Sequence, residues 1–208
     1  MTTRTLAVVS AGLSKPSSTR MLADRLGEAT DARLRETGDD VTVEFVELRD
    51  LAQDITNNLL TGFPSARLGS AIEKVTGADG LIAVTPIFSA SYSGLFKSFF
   101  DVLEPGAIAD LPVLIGATGG TARHSLAIDF ALRPLFAYLH ADAAVTGVFA
   151  ATDDWGDADD AVKPLPERIG RAAAEFAARV RRSTRTASPR DPFALPSGFD
   201  PTGVGGIQ

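Results

Sequence analysis

Three short stretches of this sequence hold the residue types that a phosphorylated ligand with a flat ring would need. The first, Ser10 to Arg20, reads S-A-G-L-S-K-P-S-S-T-R. Backbone N–H groups at a helix N-terminus, backed by the positive end of the helix dipole, bind phosphate, and short hydroxyl side chains add donors without blocking its approach. Ser17, Ser18 and Thr19 stand where those donors belong, with Lys15 and Arg20 as charges at the rim. Capping the helix alone would need one such hydroxyl. Three cluster here beside a glycine turn. The GK[ST] ending of a Walker loop and the GxGxxG of a dinucleotide fold are both missing. A monophosphate end therefore fits better than a polyphosphate that needs lysine and magnesium.

The second stretch, T-P-I-F-S-A-S-Y-S-G-L-F-K from Thr85 to Lys97, suits the ring. Pro86 stiffens the chain, and Ser89, Ala90 and Gly94 let a flat ring approach backbone amides closely. Phe88 and Tyr92 can lie along or against it. The third stretch, A-T-G-G-T-A-R-H from Ala117 to His124, offers Thr118, Gly119 and Gly120 as a second wall of exposed amides. Arg123 can balance negative charge that develops on a reduced ring. His124, a lone histidine after a glycine-rich turn, reads as a capping or packing residue.

The elements that must carry these loops alternate. Thr5 to Val9, Val41 to Leu48, Gly80 to Val84, Pro112 to Ile115 and Ala144 to Phe149 are short, aliphatic or β-branched runs, as strands buried in a parallel sheet require. Helical spacing of apolar residues predicts helices over Arg20 to Arg35, Ser65 to Thr76, Gly94 to Leu103, Ser125 to His140 and Lys163 to Arg182. Strand–helix alternation implies right-handed crossovers. The expected fold class is α/β, a three-layer flavodoxin-like fold with a five-stranded parallel sheet and helices on both faces. Such sheets bind ligands at the carboxyl ends of the strands, where all three loops fall.

Composition narrows the chemistry. The chain has 208 residues and no cysteine, which removes disulfides, thiol nucleophiles and iron–sulfur clusters together. Redox chemistry would need a bound organic cofactor. Two histidines make a His-rich metal site unexpected, so no metal is assigned. A net charge of −6 argues against nucleic acid, and the run Arg179 to Arg185 reads as the solvated end of the last helix. No run approaches the ~20 apolar residues of a membrane span, and no signal-peptide pattern opens the chain. A cytoplasmic protein without a membrane partner is expected. Residues 1–182 form the expected domain. From Ser183 to Gln208 the composition turns to Pro, Gly and Ser, as in a disordered end or an extended arm carrying Phe193, Leu195 and Phe199.

With these loops in view, the chain resembles the NADPH-dependent FMN reductase family. The cadence TPIFSASYSGLFKSFFD, followed by ATGG from Ala117 to Gly120, is similar to the reductases that serve two-component flavin monooxygenases, including the alkanesulfonate type. The resemblance spans Thr5 to Arg182. It implies that Ser10, Ser17, Ser18 and Thr19 hold the FMN phosphate, and that Pro86, Ile87, Phe88, Ser89, Ser91 and Tyr92 run along the isoalloxazine. Thr118, Gly119 and Gly120 match the third flavin-facing loop. This chain has Ser14 and Thr19 where many relatives carry Arg and Asn, and Phe88 and Ser89 where many carry Tyr and Asn.

The resemblance implies FMN and NADPH (or NADH) as cofactors and hydride transfer to flavin N5, without a side-chain acid or base, so no catalytic residue is named. Three readings follow. The chain is an NAD(P)H-dependent FMN reductase that supplies reduced FMN to a monooxygenase, a reductase that keeps its FMN and reduces quinones, azo dyes or chromate, or an electron-carrying flavodoxin. The absence of tryptophan from the three loops points to exchangeable FMN, with Trp155 the one residue able to fold over the ring. The apolar residues of Leu95 to Leu103 spread round more of their helix than one core-facing stripe needs, and Ile128 to Leu139 is apolar nearly all round, so a homodimer or homotetramer is expected with both helices at the interface.

Overall fold

A computed structural model describes residues 2–156 and 164–185. Seven strands form one sheet: β1 (Thr3–Ser10), β2 (Asp40–Glu47), β3 (Gly80–Phe88), β4 (Ser91–Tyr92), β5 (Pro112–Gly119), β6 (Asp142–Ala143) and β7 (Val148–Ala151). Their order is β2-β1-β3-β5-β6, with β7 also on β5 and β4 on β3. Every pairing is parallel except β3 with β4. The five-position flavodoxin-like order is therefore present, and the count of seven arises from two local causes.

First, of the expected fifth strand, Ala144 to Phe149, only Val148 and Phe149 are strand, as the start of β7, and the two-residue β6 precedes the expected range. Side chains take the backbone groups that a continuous ladder would use. Glu175 accepts from the N–H of Val145 and Thr146 at 2.7 and 3.2 Å, and Arg133 donates to the carbonyls of Ala144 and Val145 at 2.9 and 2.8 Å. Second, β3 does not stop at Val84 but runs to Phe88 and turns back as β4. Ser89 and Ala90 occupy that turn with φ of 48° and 67°, the left-handed pair a two-residue hairpin uses.

Helices α1 (Ser18–Glu36) and α6 (Leu165–Arg182) cover one face of the sheet; α2 (Ala52–Thr61), α3 (Ala66–Thr76), α4 (Gly94–Asp101) and α5 (Arg133–Tyr138) belong to the other. Of the last helix expected from Lys163, Leu165–Arg182 is observed and Lys163 lies outside the described residues. Helix α2 has no counterpart among the expected elements. Its only buried side chains are Ile55 and Asn58, too few to print an apolar stripe on the sequence. The expected helix Ser125 to His140 is broken into a π-helical turn over Ile128–Leu132 followed by α5. Pro134, which has no N–H to give and crowds the preceding turn, stands just after the junction.

Both cores are aliphatic, and the α2–α5 side adds an aromatic cluster. Phe96, Phe100 and Phe136 meet with ring centroids 4.8 to 6.3 Å apart. This uses up the apolar side of α4, because Phe96, Phe99 and Phe100 are buried within the protein itself. The arginine run is a solvated helix end only in part: Arg181 and Arg182 are exposed in the last turn, whereas Arg179 and Arg185 are drawn onto the protein. Arg179 pairs with Asp142 at 2.6 Å, and Arg185 donates to the carbonyls of Thr76, Ala78, Ala107 and Ala109 at 2.8 to 3.2 Å. Burial lowers the Arg185 pKa, against the pull of Asp110 and Asp79. Of the expected tail from Ser183 to Gln208, the structure describes residues 183–185; Phe193, Leu195 and Phe199 lie outside the described residues. Among the described residues no helix is long and apolar enough to cross a membrane.

Candidate active site

The three loops leave the carboxyl ends of β1, β3 and β5, which are neighbours in the sheet. They are tied together beneath the surface. The N–H of Ala11 donates to the Val84 carbonyl at 2.9 Å, and the hydroxyls of Thr19 and Thr118 meet at 2.8 Å.

In the first loop, Ser10 is fully buried at the end of β1, and its Oγ has no hydrogen-bond partner among the described residues. Ser17 is the N-cap of α1, accepting from the N–H of Arg20 at 3.2 Å. The N–H groups of Ser18 and Thr19 lie in the first helical turn, where no carbonyl of the same helix reaches them. Gly12 lets the loop fold onto this end: a Cβ there would stand 2.0 Å from the Ser17 Oγ. Thr19 is buried and engaged by Thr118, so it forms the floor of the loop, unlike exposed Ser18. Arg20 is turned away from the loop. It pairs with Asp24 at 2.7 Å and Glu47 at 2.9 Å and lies over the Phe45 ring at 4.3 Å. Burial by itself would lower the Arg20 pKa, but the two carboxylates outweigh it and raise the value.

The second loop is the β3–β4 hairpin. Ile87 pairs with Tyr92 and Phe88 with Ser91, while Pro86 stands opposite Thr118 on β5. Phe88 is 48% exposed, and Ser89 at the turn is open to solvent too. Tyr92 leans the other way, onto the core, with its ring 6.0 Å from that of Phe96. Two buried residues that sequence reasoning passed over fix this hairpin. Thr85 Oγ1 accepts from the N–H of Ser93 at 3.1 Å, and Ser93 Oγ accepts from the N–H of Phe96 at 3.2 Å as the cap of α4. The serine just before G-L-F carried the capping signal in the sequence.

In the third loop Gly119 passes close to Phe149, whose Cζ would be 2.9 Å from an added Cβ, whereas Gly120 has open space around it. Thr121 caps a short turn by accepting from the N–H of Arg123 at 3.1 Å. The Arg123 and His124 side chains are exposed at its rim. Trp155 is remote in its contacts: it packs on the α1–α6 core, with Arg25 over its ring at 4.9 Å.

Together these loops present unspent backbone donors, the orphan hydroxyl of Ser10, a Gly12 that lets the first loop close onto the α1 N-cap, and no Asp or Glu. That donor set fits a flavin phosphate and ring. No group of three or more His, Cys, Asp or Glu side chains placed to hold a metal occurs among the described residues.

Comparison with known proteins agrees with this geometry. A family model described as NADPH-dependent FMN reductase matches residues 4–156. The FMN reductase (NADPH) of Pseudomonas aeruginosa is 36% identical over 175 residues, covering 83% of this chain and 90% of that protein. The NADH-dependent FMN reductase SfnF of Pseudomonas fluorescens is 37% identical over 175 residues, covering 83% and 89%. Among solved structures, an oxidoreductase from Corynebacterium diphtheriae superposes with a TM-score of 0.84 at 44% identity, covering 88% of this chain and all of that one. An apo NADH:FMN oxidoreductase superposes with a TM-score of 0.71 at 27% identity, covering 90% and 97%. The chain belongs to the NADPH-dependent FMN reductase family.

Proposed function

We propose that this protein is an NAD(P)H-dependent FMN reductase that releases reduced FMN to a flavin-dependent monooxygenase. The observation that carries the reading is the convergence of three acid-free loops at the end of β1, where the buried Ser10 hydroxyl has no partner among the described residues. In this reading Ser10, Ser17 and Ser18, with the first amides of α1, hold the phosphate, and Thr19 supports them from below through Thr118. The β3–β4 hairpin, from Pro86 to Tyr92, lies along the ring edge, with Phe88 free to cover one face. Gly119 and Gly120 leave the other wall low enough for a nicotinamide to stack.

Bound FMN would supply the hydride-accepting ring, with the nicotinamide as the donor. The residues of this chain orient the two rings and hold the negative charge of the product with backbone donors. A general acid or base is not required. Release of reduced FMN is favoured because no tryptophan clamps the ring: Trp155 is packed away on α1 and α6.

The reading extends to assembly and location: a cytoplasmic homodimer or homotetramer. Leu126, Phe130 and Tyr138 are 62, 77 and 82% exposed along one stretch, a grouping that favours a subunit contact. Helix α4 contributes less than its composition implies, since its phenylalanines are spent in the core.

Steady NADPH or NADH oxidation with FMN, followed by absorbance after desalting, tests the proposal. Turnover that depends on added FMN, from protein that leaves the column colourless, is expected. Stoichiometric FMN retained with turnover independent of added FMN would favour a quinone or dye reductase, and no steady turnover would favour a carrier.

A further inference from the structure

Arg49 stands outside all three loops, in the helical turn Leu48–Leu51 that follows β2, yet its guanidinium reaches the first of them. Its Nη1 donates to the carbonyl of Ser14 at 2.9 Å and to that of Leu13 at 3.3 Å. Its Nε lies 3.6 Å from the Asp50 carboxylate, which steadies the head without occupying Nη1. Arg20, nearer in sequence to the helix cap, is committed to Asp24 and Glu47. Of these two guanidinium groups, only that of Arg49 is bonded to the loop among the described residues.

We propose that Arg49 is a positioning residue for the flavin phosphate. A trans peptide unit points its C=O and N–H in opposite directions. Drawing the Leu13 and Ser14 carbonyls toward Arg49 therefore turns the N–H groups of Ser14 and Lys15 to the opposite side, which the proposal assigns to the phosphate. The loop is thus ordered before the ligand arrives, and less ordering entropy is lost on binding. The guanidinium also sets a positive charge behind the loop, partly offset by Asp50. The buried Ser10 hydroxyl at the foot of the same loop, without a partner among the described residues, independently supports a ligand there.

The inference rests on the FMN reading, and the experiment separates the two. FMN and riboflavin, which differ by the phosphate alone, are titrated against the wild type, Arg49→Ala and Arg49→Lys by flavin fluorescence, with thermal midpoints recorded alongside. Arg49→Ala is expected to weaken FMN by about tenfold or more, the size of a lost charge-assisted contact, and riboflavin by less than about twofold. Arg49→Lys keeps the charge and part of the hydrogen bonding. Its FMN loss should be smaller, and it serves as the test if Arg49→Ala does not fold. At saturating FMN, kcat should stay near wild type while the KM for FMN rises. Equal weakening of both flavins, or unchanged FMN affinity, would overturn the positioning role. A wild type that binds neither flavin would instead overturn the FMN reading itself.

Discussion

Thr19 and Thr118, separated by 99 positions in the chain, join their hydroxyls at 2.8 Å and are both buried, so the first and third loops share one floor. Thr118→Val keeps the shape but strands the Thr19 hydroxyl. Its cost is expected to be about 1–3 kcal/mol by denaturant unfolding. The double variant Thr19→Val, Thr118→Val should lose less than the two single losses added together, because neither hydroxyl is then left alone. Strict additivity would show that the pair is not coupled.

Ser17 caps α1 at the place assigned to the phosphate. Aspartate caps helices as well as serine does, so Ser17→Asp keeps the helix end while setting a carboxylate against the ligand. FMN affinity should fall by about tenfold or more, and riboflavin affinity by much less. Fluorescence titration of both flavins decides it; matched losses would move the phosphate elsewhere.

Phe130 and Tyr138 are the exposed aromatics on the apolar stretch that follows the third loop. Light scattering at micromolar concentration should give the mass of a dimer or tetramer. Phe130→Asp should weaken association by about tenfold or more, since burying such a ring contributes roughly 1.5–3 kcal/mol. A wild type that scatters as a monomer would remove the assembly proposal.

Glu175 holds the β6–β7 link through the N–H groups of Val145 and Thr146. Burial would raise its pKa, but the hydrogen bonds at Thr146 and Val145, with the Arg179 charge, lower it below the ordinary 4.5. A depressed carboxylate stabilises the fold above its unfolded-state pKa and loses that contribution as pH falls through the folded value. Glu175→Gln should therefore melt lower than wild type at pH 7, by about 2 °C for an ion partly open to solvent. The gap should narrow once the pH drops below about 4.5. A gap that stays constant into that acid range would assign the effect to lost packing.

What the sequence by itself determined was the alternation and the loops. Runs such as GLIAV and PVLI are too apolar for an exposed strand, and three Gly-, Ser- and Thr-rich turns, after the first, third and fourth expected strands, point to one end of the sheet as the candidate site. Those signals are local, set by burial and backbone freedom within a few residues. Tertiary structure decided where side chains with several possible partners went. Arg20 had equal local reason to face the phosphate, but Glu47 on β2, 27 residues away, drew it off. Tyr92 packed on Phe96, Trp155 on the α1–α6 core, and Thr19 on Thr118. The split of the last strand depended on Glu175, 30 residues beyond Val145. Each of these choices turns on a contact between distant segments, and its free energy exists only once the sheet has brought them together.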